Sequence, residues 1–229
     1  MTIKPAERGV RRAPGADPVR RSRFFADSMD GFRYVAAQPG MFGFLVTTSV
    51  FNALLMPITV LLPVYATAYL AADVRWYGFL LAAIGAGAIA GCSAIGAARS
   101  KLTGPARRAL MIAALGGLGL SLIVLGQVHS LSLALAILFV TGVLSGVINV
   151  LSMSIVQRRT SGEFRGRVIG LQTMMSRVLV PIGLVGGGVV ADLTGRNVPL
   201  VYGICGALAV TSVALFSSRR NTWAFLGSS

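Results

Sequence analysis

The chain has 229 residues, of which 55% are hydrophobic and only 12% are charged, and its mean hydropathy is +0.76. Ordinary soluble domains carry about twice that share of charged residues, so the composition excludes an ordinary soluble domain. The formal net charge of +14 is typical of nucleic-acid-binding proteins. However, the basic residues lie beside apolar stretches rather than on one face of a soluble fold, so we expect no nucleic-acid partner.

The amino end, residues 1–26, is rich in Arg, Pro, Gly and Ala and is predicted to be a disordered, basic, linker-like cytoplasmic tail. Residues 27–40 predict a short amphipathic helix that lies along the inner membrane surface. A six-helix transmembrane bundle over residues 41–218 follows, and residues 219–229 form a second cytoplasmic tail.

Six apolar stretches make up the predicted bundle, and a membrane span needs only about 20 apolar residues. They cover residues 43–68, 76–97, 108–127, 131–156, 167–191 and 199–217. The second stretch carries a row of small residues at four-residue spacing, Ala82, Ala86, Ala90 and Ala94, beside Ala83, Gly87 and Gly91. Small residues at this spacing let two helices approach closely within a membrane. The sequence therefore predicts an all-α integral membrane protein.

Positive charge alternates between the segments that connect these stretches. The first, third, fifth and seventh segments, with Arg167 at a span edge, hold 18 of the 21 basic residues. Cytoplasmic loops of multi-pass membrane proteins retain Lys and Arg. The alternation predicts that both termini are cytoplasmic in a multi-pass protein of the cell membrane.

Polar side chains inside the spans fall on single helix faces. In the fourth span, one face carries Thr141, Ser145, Asn149 and Ser152. In the first span, one face carries Thr48, Asn52 and Thr59. Amides and guanidinium groups are costly in hydrocarbon, so these faces should meet the bundle interior or a wet cavity. Two interpretations stay open, a substrate pathway or interhelical hydrogen bonds worth about 0.6 kcal/mol each. The predicted substrate-pathway residues are Asn52, Asn149, Gln172, Arg177, Thr48, Ser145 and Ser152.

Arg177 lies about 18 Å along its helix if that helix begins at Arg165. All seven acidic residues lie in tails, loops or span ends, so its counter-charge must come from another subunit, an anionic substrate or lipid headgroups. The only histidine, His129, is about 24 Å from Ser145 along the fourth span, which excludes a Ser–His dyad. We therefore predict no enzymatic activity, no cofactor and no metal site.

Residues 27–40, 157–170 and 96–108 resemble segments of the bacterial drug, macrolide and siderophore efflux branch of the major facilitator superfamily. Residues 27–40 read DSMDGFRYVAAQPG and are similar to the segment before that branch's seventh helix. Residues 157–170 read QRRTSGEFRGRVIG and resemble its loop between helices ten and eleven. Residues 96–108 read GAARSKLTGPARR and look like the superfamily's Gly-rich basic loop without its usual Asp. The cytoplasmic loop residues that carry this resemblance are Arg165, Gly166, Arg167, Arg107 and Arg108.

The resemblance implies the carboxy-terminal six-helix half of a transporter that normally has twelve helices. Such a half would export amphipathic small molecules by alternating access, and these arginines would anchor the cytoplasmic loops and the inner leaflet. Its partners would be the lipid bilayer, a small-molecule substrate, and either a second six-helix half or a second copy of this chain. The alternative is a truncated or accessory membrane protein that does not transport.

Overall fold

The computed structural model describes residues 32–38, 40–98, 102–162, 164–195 and 197–218. Six long helices make up most of this part of the chain, and it contains no strand. The helices are α1 (Met41–Val64), α2 (Arg75–Ala98), α3 (Gly104–Gln127), α4 (Leu131–Arg159), α5 (Arg165–Leu193) and α6 (Val198–Ser218). Each is long and apolar enough to cross a membrane. The predicted all-α membrane fold with six spans is confirmed.

The predicted tails, residues 1–26 and 219–229, lie outside the described residues. Of the predicted amphipathic helix over residues 27–40, residues 32–37 are helical and Val35 is fully buried. Gly40 follows with φ of 85°, a left-handed conformation that glycine adopts without steric cost. The chain therefore turns at this glycine before it enters the first span.

The carboxy end of α1 is irregular. Two prolines, Pro57 and Pro63, interrupt its backbone hydrogen bonding, and the helix continues as a π-helical turn over Tyr65–Tyr69. The Tyr65 hydroxyl lies 2.8 Å from the carbonyl oxygen of Leu125 and 2.7 Å from that of Val128, so it donates to the end of α3. This bond fixes the wider turn against the rest of the bundle.

The helices pack in three close pairs, each joining a helix of the first three to one of the last three. α2 packs on α4, α1 on α5, and α3 on α6. Glycines bring the backbones together in every pair: a side chain at Gly142 would overlap the backbone oxygen of Ile84, and one at Gly183 would overlap that of Ala53. Close backbone contact is how helices associate where lipid supplies no hydrophobic drive.

The two rows of small residues on α2 have different surroundings. A side chain at Gly87 or Gly91 would overlap the α4 backbone, so this row forms the packing face. The neighbouring row does not pack within the described chain, because all four of its alanines are exposed: Ala82, Ala86, Ala90 and Ala94. The packing expected of the second span therefore belongs to its glycines.

Thr141 supplies a polar link between α3 and α4. Its hydroxyl shares one proton between the Ser121 hydroxyl oxygen at 2.9 Å and the Ile137 carbonyl oxygen of its own helix at 2.8 Å, and Ser121 donates to the carbonyl oxygen of Leu118 at 2.8 Å. Thr141 is buried, so this residue of the fourth-span polar face holds helices together. For Thr141, the structure shows an interhelical contact in addition to a bond within its own helix.

Candidate functional site

A cavity of about 550 Å³ lies between α1, α4 and α5, with Leu118 of α3 also in its wall. Its volume is within the range of small-molecule sites, about 300–1,000 Å³. The wall combines apolar side chains with hydroxyl, amide and guanidinium groups. Besides Leu118 it is lined by Thr48, Phe51, Asn52, Leu55, Met56, Ser145, Ile148, Asn149, Ser152, Met153, Ile169, Gln172, Thr173, Ser176, Arg177 and Val180.

All seven predicted substrate-pathway residues lie in this wall. α1 contributes two, α4 three and α5 two, which makes the cavity the meeting point of three polar helix faces. In the same order they are Thr48 and Asn52, then Ser145, Asn149 and Ser152, then Gln172 and Arg177. Thr59 and Thr141 share those helix faces but do not line the cavity. The structure brings the seven side chains together, and their part in transport stays a prediction.

The hydrogen bonds of these residues stay within their own helices. The Asn52 side-chain amide donates to the Thr48 carbonyl at 2.9 Å, and the Asn149 amide donates to the Ser145 carbonyl at 2.9 Å. In the described part of the chain, none of the seven makes a side-chain hydrogen bond to another helix. Beside the wall, the hydroxyls of Ser49 of α1 and Ser176 of α5 lie 3.5 Å apart, beyond the usual 2.5–3.0 Å. The interhelical interpretation therefore does not account for these side chains.

Four of the seven, Ser145, Ser152, Gln172 and Arg177, have no side-chain partner within the described residues. The Ser152 hydroxyl is buried and makes no hydrogen bond there. Gln172 and Arg177 also have no hydrogen bond or ion pair with that part of the chain. Asp192, at the far end of the same helix, is about 22 Å from Arg177 along the axis. Among the described residues, the cavity wall therefore has hydrogen-bond donors without a protein partner, and the positive charge of Arg177 has no acidic partner.

The predicted cytoplasmic loop residues lie away from the cavity. Arg165 and Gly166 are exposed at the start of α5, and Arg108 is half-buried. The Arg167 guanidinium lies 5.5 Å from the centre of the Phe164 ring, which stacks on Tyr34 at 4.7 Å. These contacts tie the short helical segment before α1 to the loop between α4 and α5.

The burial of Arg107 differs from the exposure that a contact with the inner leaflet would require. Only 7% of this residue is exposed, and its guanidinium donates to the Leu102 carbonyl at 3.1 Å. Its charge therefore holds the loop before α3 and presents little surface to lipid. The sequence cannot distinguish the two orientations, because Arg107 and Arg108 are adjacent and only the helix rotation decides which one is buried.

Sequence reasoning missed the apolar half of the cavity wall. Leu55 and Met56 stand three and four residues after Asn52, and Met153 stands four residues after Asn149. Helical spacing places such residues beside the polar ones. The signal is therefore present, but apolar residues at the same spacing occur on every face of a membrane helix.

The model of the transmembrane secretion effector family matches residues 5–225. The chain belongs to this family of the major facilitator superfamily. Its predicted membership and its place as a multi-pass cell-membrane protein are thereby confirmed.

The relatives that the chain matches include three proteins that each carry the name multidrug efflux pump Tap. The protein of Mycolicibacterium fortuitum is 28% identical over 215 residues, which are 92% of this chain and 51% of the relative. Those of Mycobacterium bovis (strain BCG / Pasteur) and Mycobacterium tuberculosis (strain H37Rv) are 31% identical over 147 residues, 64% of this chain and 34% of each relative. The chain thus spans about half the length of the first of these relatives and matches a third of the others.

Proposed function

We propose that the chain forms half of a transporter that exports small amphipathic molecules by alternating access. The observation that carries the proposal is the cavity between α1, α4 and α5, in whose wall the polar faces of three spans meet. Drug-sized ligands bind in apolar cavities of this size that hold a few polar groups. The matched family and the efflux pumps related to it support transport rather than catalysis.

A second six-helix bundle completes the cavity in this proposal. The helices with the smallest buried share are α5 and α2, in which 11% and 22% of the most apolar stretch is buried. The exposed alanine row of α2 offers a second bundle a smooth surface for close approach. In major facilitator folds, two bundles rock about a site near the bilayer midplane. The second bundle is either a separate half or a second copy of this chain.

Membrane orientation is part of the same proposal. Both termini are placed in the cytoplasm, because the odd-numbered connecting segments hold most of the basic residues. Cytoplasmic termini on an even number of spans make every copy point the same way. Two copies can therefore pair about an axis along the membrane normal, as the two halves of a complete transporter do.

The alternative, an accessory protein that does not transport, requires the polar faces to be sealed between helices. The cavity residues instead keep their hydrogen bonds within their own helices. Native mass spectrometry of the protein, extracted from its own membrane into lipid nanodiscs, separates the two functions. We expect this chain together with a second six-helix chain or a second copy. A lone 23.9 kDa chain would contradict the proposal and favour the accessory protein.

The substitution Arg177→Ala tests whether Arg177 belongs to the proposed export pathway. We expect at least a tenfold loss of export at normal membrane insertion, because the cavity loses its positive charge. Export is measured as efflux of a fluorescent amphiphile from energised cells. Arg75→Ala is the matched control, since Arg75 is exposed outside the cavity and pairs only with nearby Asp73 at 2.9 Å in the described chain. Export at the wild-type rate in Arg177→Ala would remove Arg177 from the proposed pathway.

A further inference from the structure

We infer that the cavity selects amphipathic molecules with an acidic head, and that Arg177 binds that head. The inference deepens the proposed function and rests on it, since it names the substrate class of the same cavity. It is based on which charged side chains line the cavity. In the described part of the chain, the wall holds one guanidinium and no Asp or Glu.

The position of Arg177 within its span indicates what kind of group its charge would bind. The residue stands near the middle of α5, which runs from Arg165 to Leu193. A guanidinium at that depth of a membrane helix is costly unless it meets a partner or water. Since the described chain supplies no acidic partner, an oxyanion bound in the cavity would compensate the charge.

Other donors are placed to help hold such a head. Gln172 precedes Arg177 by five residues on α5, and its amide has no partner in the described chain. Ser145 of α4, which is half-buried and whose hydroxyl has no partner in the described chain, lines the same cavity. Charge-assisted hydrogen bonds to an oxyanion are about twice as strong as neutral ones. A carboxylate and a sulfonate share the chemistry that these donors recognise.

The remaining wall fits the apolar body of the same ligand. Phe51, Leu55 and Met56 of α1 and Met153 of α4 line the cavity together with Ile148. Methionine side chains are flexible and adapt to ligands of different shape. The site thus combines a fixed charge with an adaptable apolar surface, so head-group charge should decide selection more strongly than the shape of the apolar body.

A matched pair of fluorescent probes tests this. Anilinonaphthalene sulfonate and N-phenylnaphthylamine share an aromatic body and differ in the acidic group. Both are titrated onto the assembly purified from its own membrane, in nanodiscs of zwitterionic phosphatidylcholine, with empty nanodiscs subtracted. The variants are Arg177→Gln, Arg177→Lys and, as a control for net charge, Arg75→Gln in an exposed position.

We expect Arg177→Gln to weaken binding of the sulfonate about tenfold or more and to leave the neutral probe within twofold. Arg177→Lys should keep part of the sulfonate affinity, because the charge remains without the planar guanidinium. Arg75→Gln should change neither. Equal sulfonate affinity in Arg177→Gln and the unmodified protein would overturn the inference. An equal loss for both probes would also overturn it, because it would mean a structural role for Arg177.

A second measurement needs no variant. The unmodified protein should bind the sulfonate more tightly than an analogue with a trimethylammonium group, and the reverse preference would overturn the inference. Transport by the same preparation in vesicles tests the proposed function separately. Absence of transport with an intact, Arg177-dependent sulfonate site would defeat the function alone. Efflux of cationic and acidic probes at equal rates, unaffected by Arg177→Gln, would defeat the inference alone.

Discussion

Gly206→Ala tests whether backbone contact holds α3 and α6 together. An ideal Cβ at Gly206 would lie 2.6 Å from the carbonyl oxygen of Gly119 and 2.6 Å from the Ile123 side chain. Real Cβ atoms essentially never come within 3.0 Å of a neighbour. The isoleucine side chain can rotate, but the backbone oxygen can move only if the helices separate by at least about 0.4 Å. We therefore expect this single methyl group to destabilise the bundle.

The expected magnitude follows from a control on the same helix. An alanine at Gly203 would meet nothing within 4 Å, so Gly203→Ala gains only the better helix propensity of alanine, about 1 kcal/mol. Gly206→Ala gains the same term and adds the cost of overpacking, about 1–3 kcal/mol. The propensity terms cancel in the comparison. The unfolding free energies of the two variants should therefore differ by about 1–3 kcal/mol.

Thermal unfolding in detergent, followed by circular dichroism, measures this difference. For chains of this size, 1 kcal/mol shifts the melting temperature by about 2–4 °C, so Gly206→Ala should melt about 2–12 °C below Gly203→Ala. Equal melting temperatures would show that α3 and α6 separate without cost. The account of glycine-mediated packing would then be wrong for this pair.

Three further substitutions probe the bundle by the same melting assay. Tyr65→Phe should cost about 1–3 kcal/mol, because two buried carbonyls at the end of α3 lose the hydroxyl that binds them; an unchanged melting temperature would mean that water replaces it. Thr141→Val should cost only about 0.6 kcal/mol, the average for hydrogen bonds between membrane helices; a loss of several kcal/mol would show that the bond to Ser121 is more important than that average. Gly87→Ala should destabilise the α2–α4 pair while Gly85→Ala should not, since only the first alanine would overlap another helix; the opposite order would contradict the packing of this pair.

Spans and cavity residues could be predicted because both depend on local properties. Span positions follow from continuous apolar length, which is set by the thickness of the bilayer. The cavity residues Asn52, Asn149 and Arg177 follow from the cost of polar groups in hydrocarbon, which forces them to face inwards. Each of these arguments uses a single helix and needs no knowledge of its neighbours.

The remainder depends on how each helix is rotated against its neighbours. Ala86 and Gly87 are adjacent small residues, yet only Gly87 packs against α4. Thr141 and Ser145 share a polar face, yet Thr141 bonds to α3 while Ser145 lines the cavity. A difference of one residue changes the direction of a side chain by about 100°. The sequence of one helix contains no information on which direction its partner occupies.

The unsatisfied groups of the cavity distinguish its residues from those that build the fold. Thr141 and Tyr65 are buried polar residues whose hydroxyls bond to another helix, so their presence is explained by packing. Arg177 makes no such contact in the described chain, and an arginine at the centre of a span costs about 2.5–3.5 kcal/mol on insertion scales. Since the described helices return none of that cost, stabilisation has to come from water, a ligand or a second bundle. All three require that Arg177 stand at an accessible surface, which is where the cavity places it.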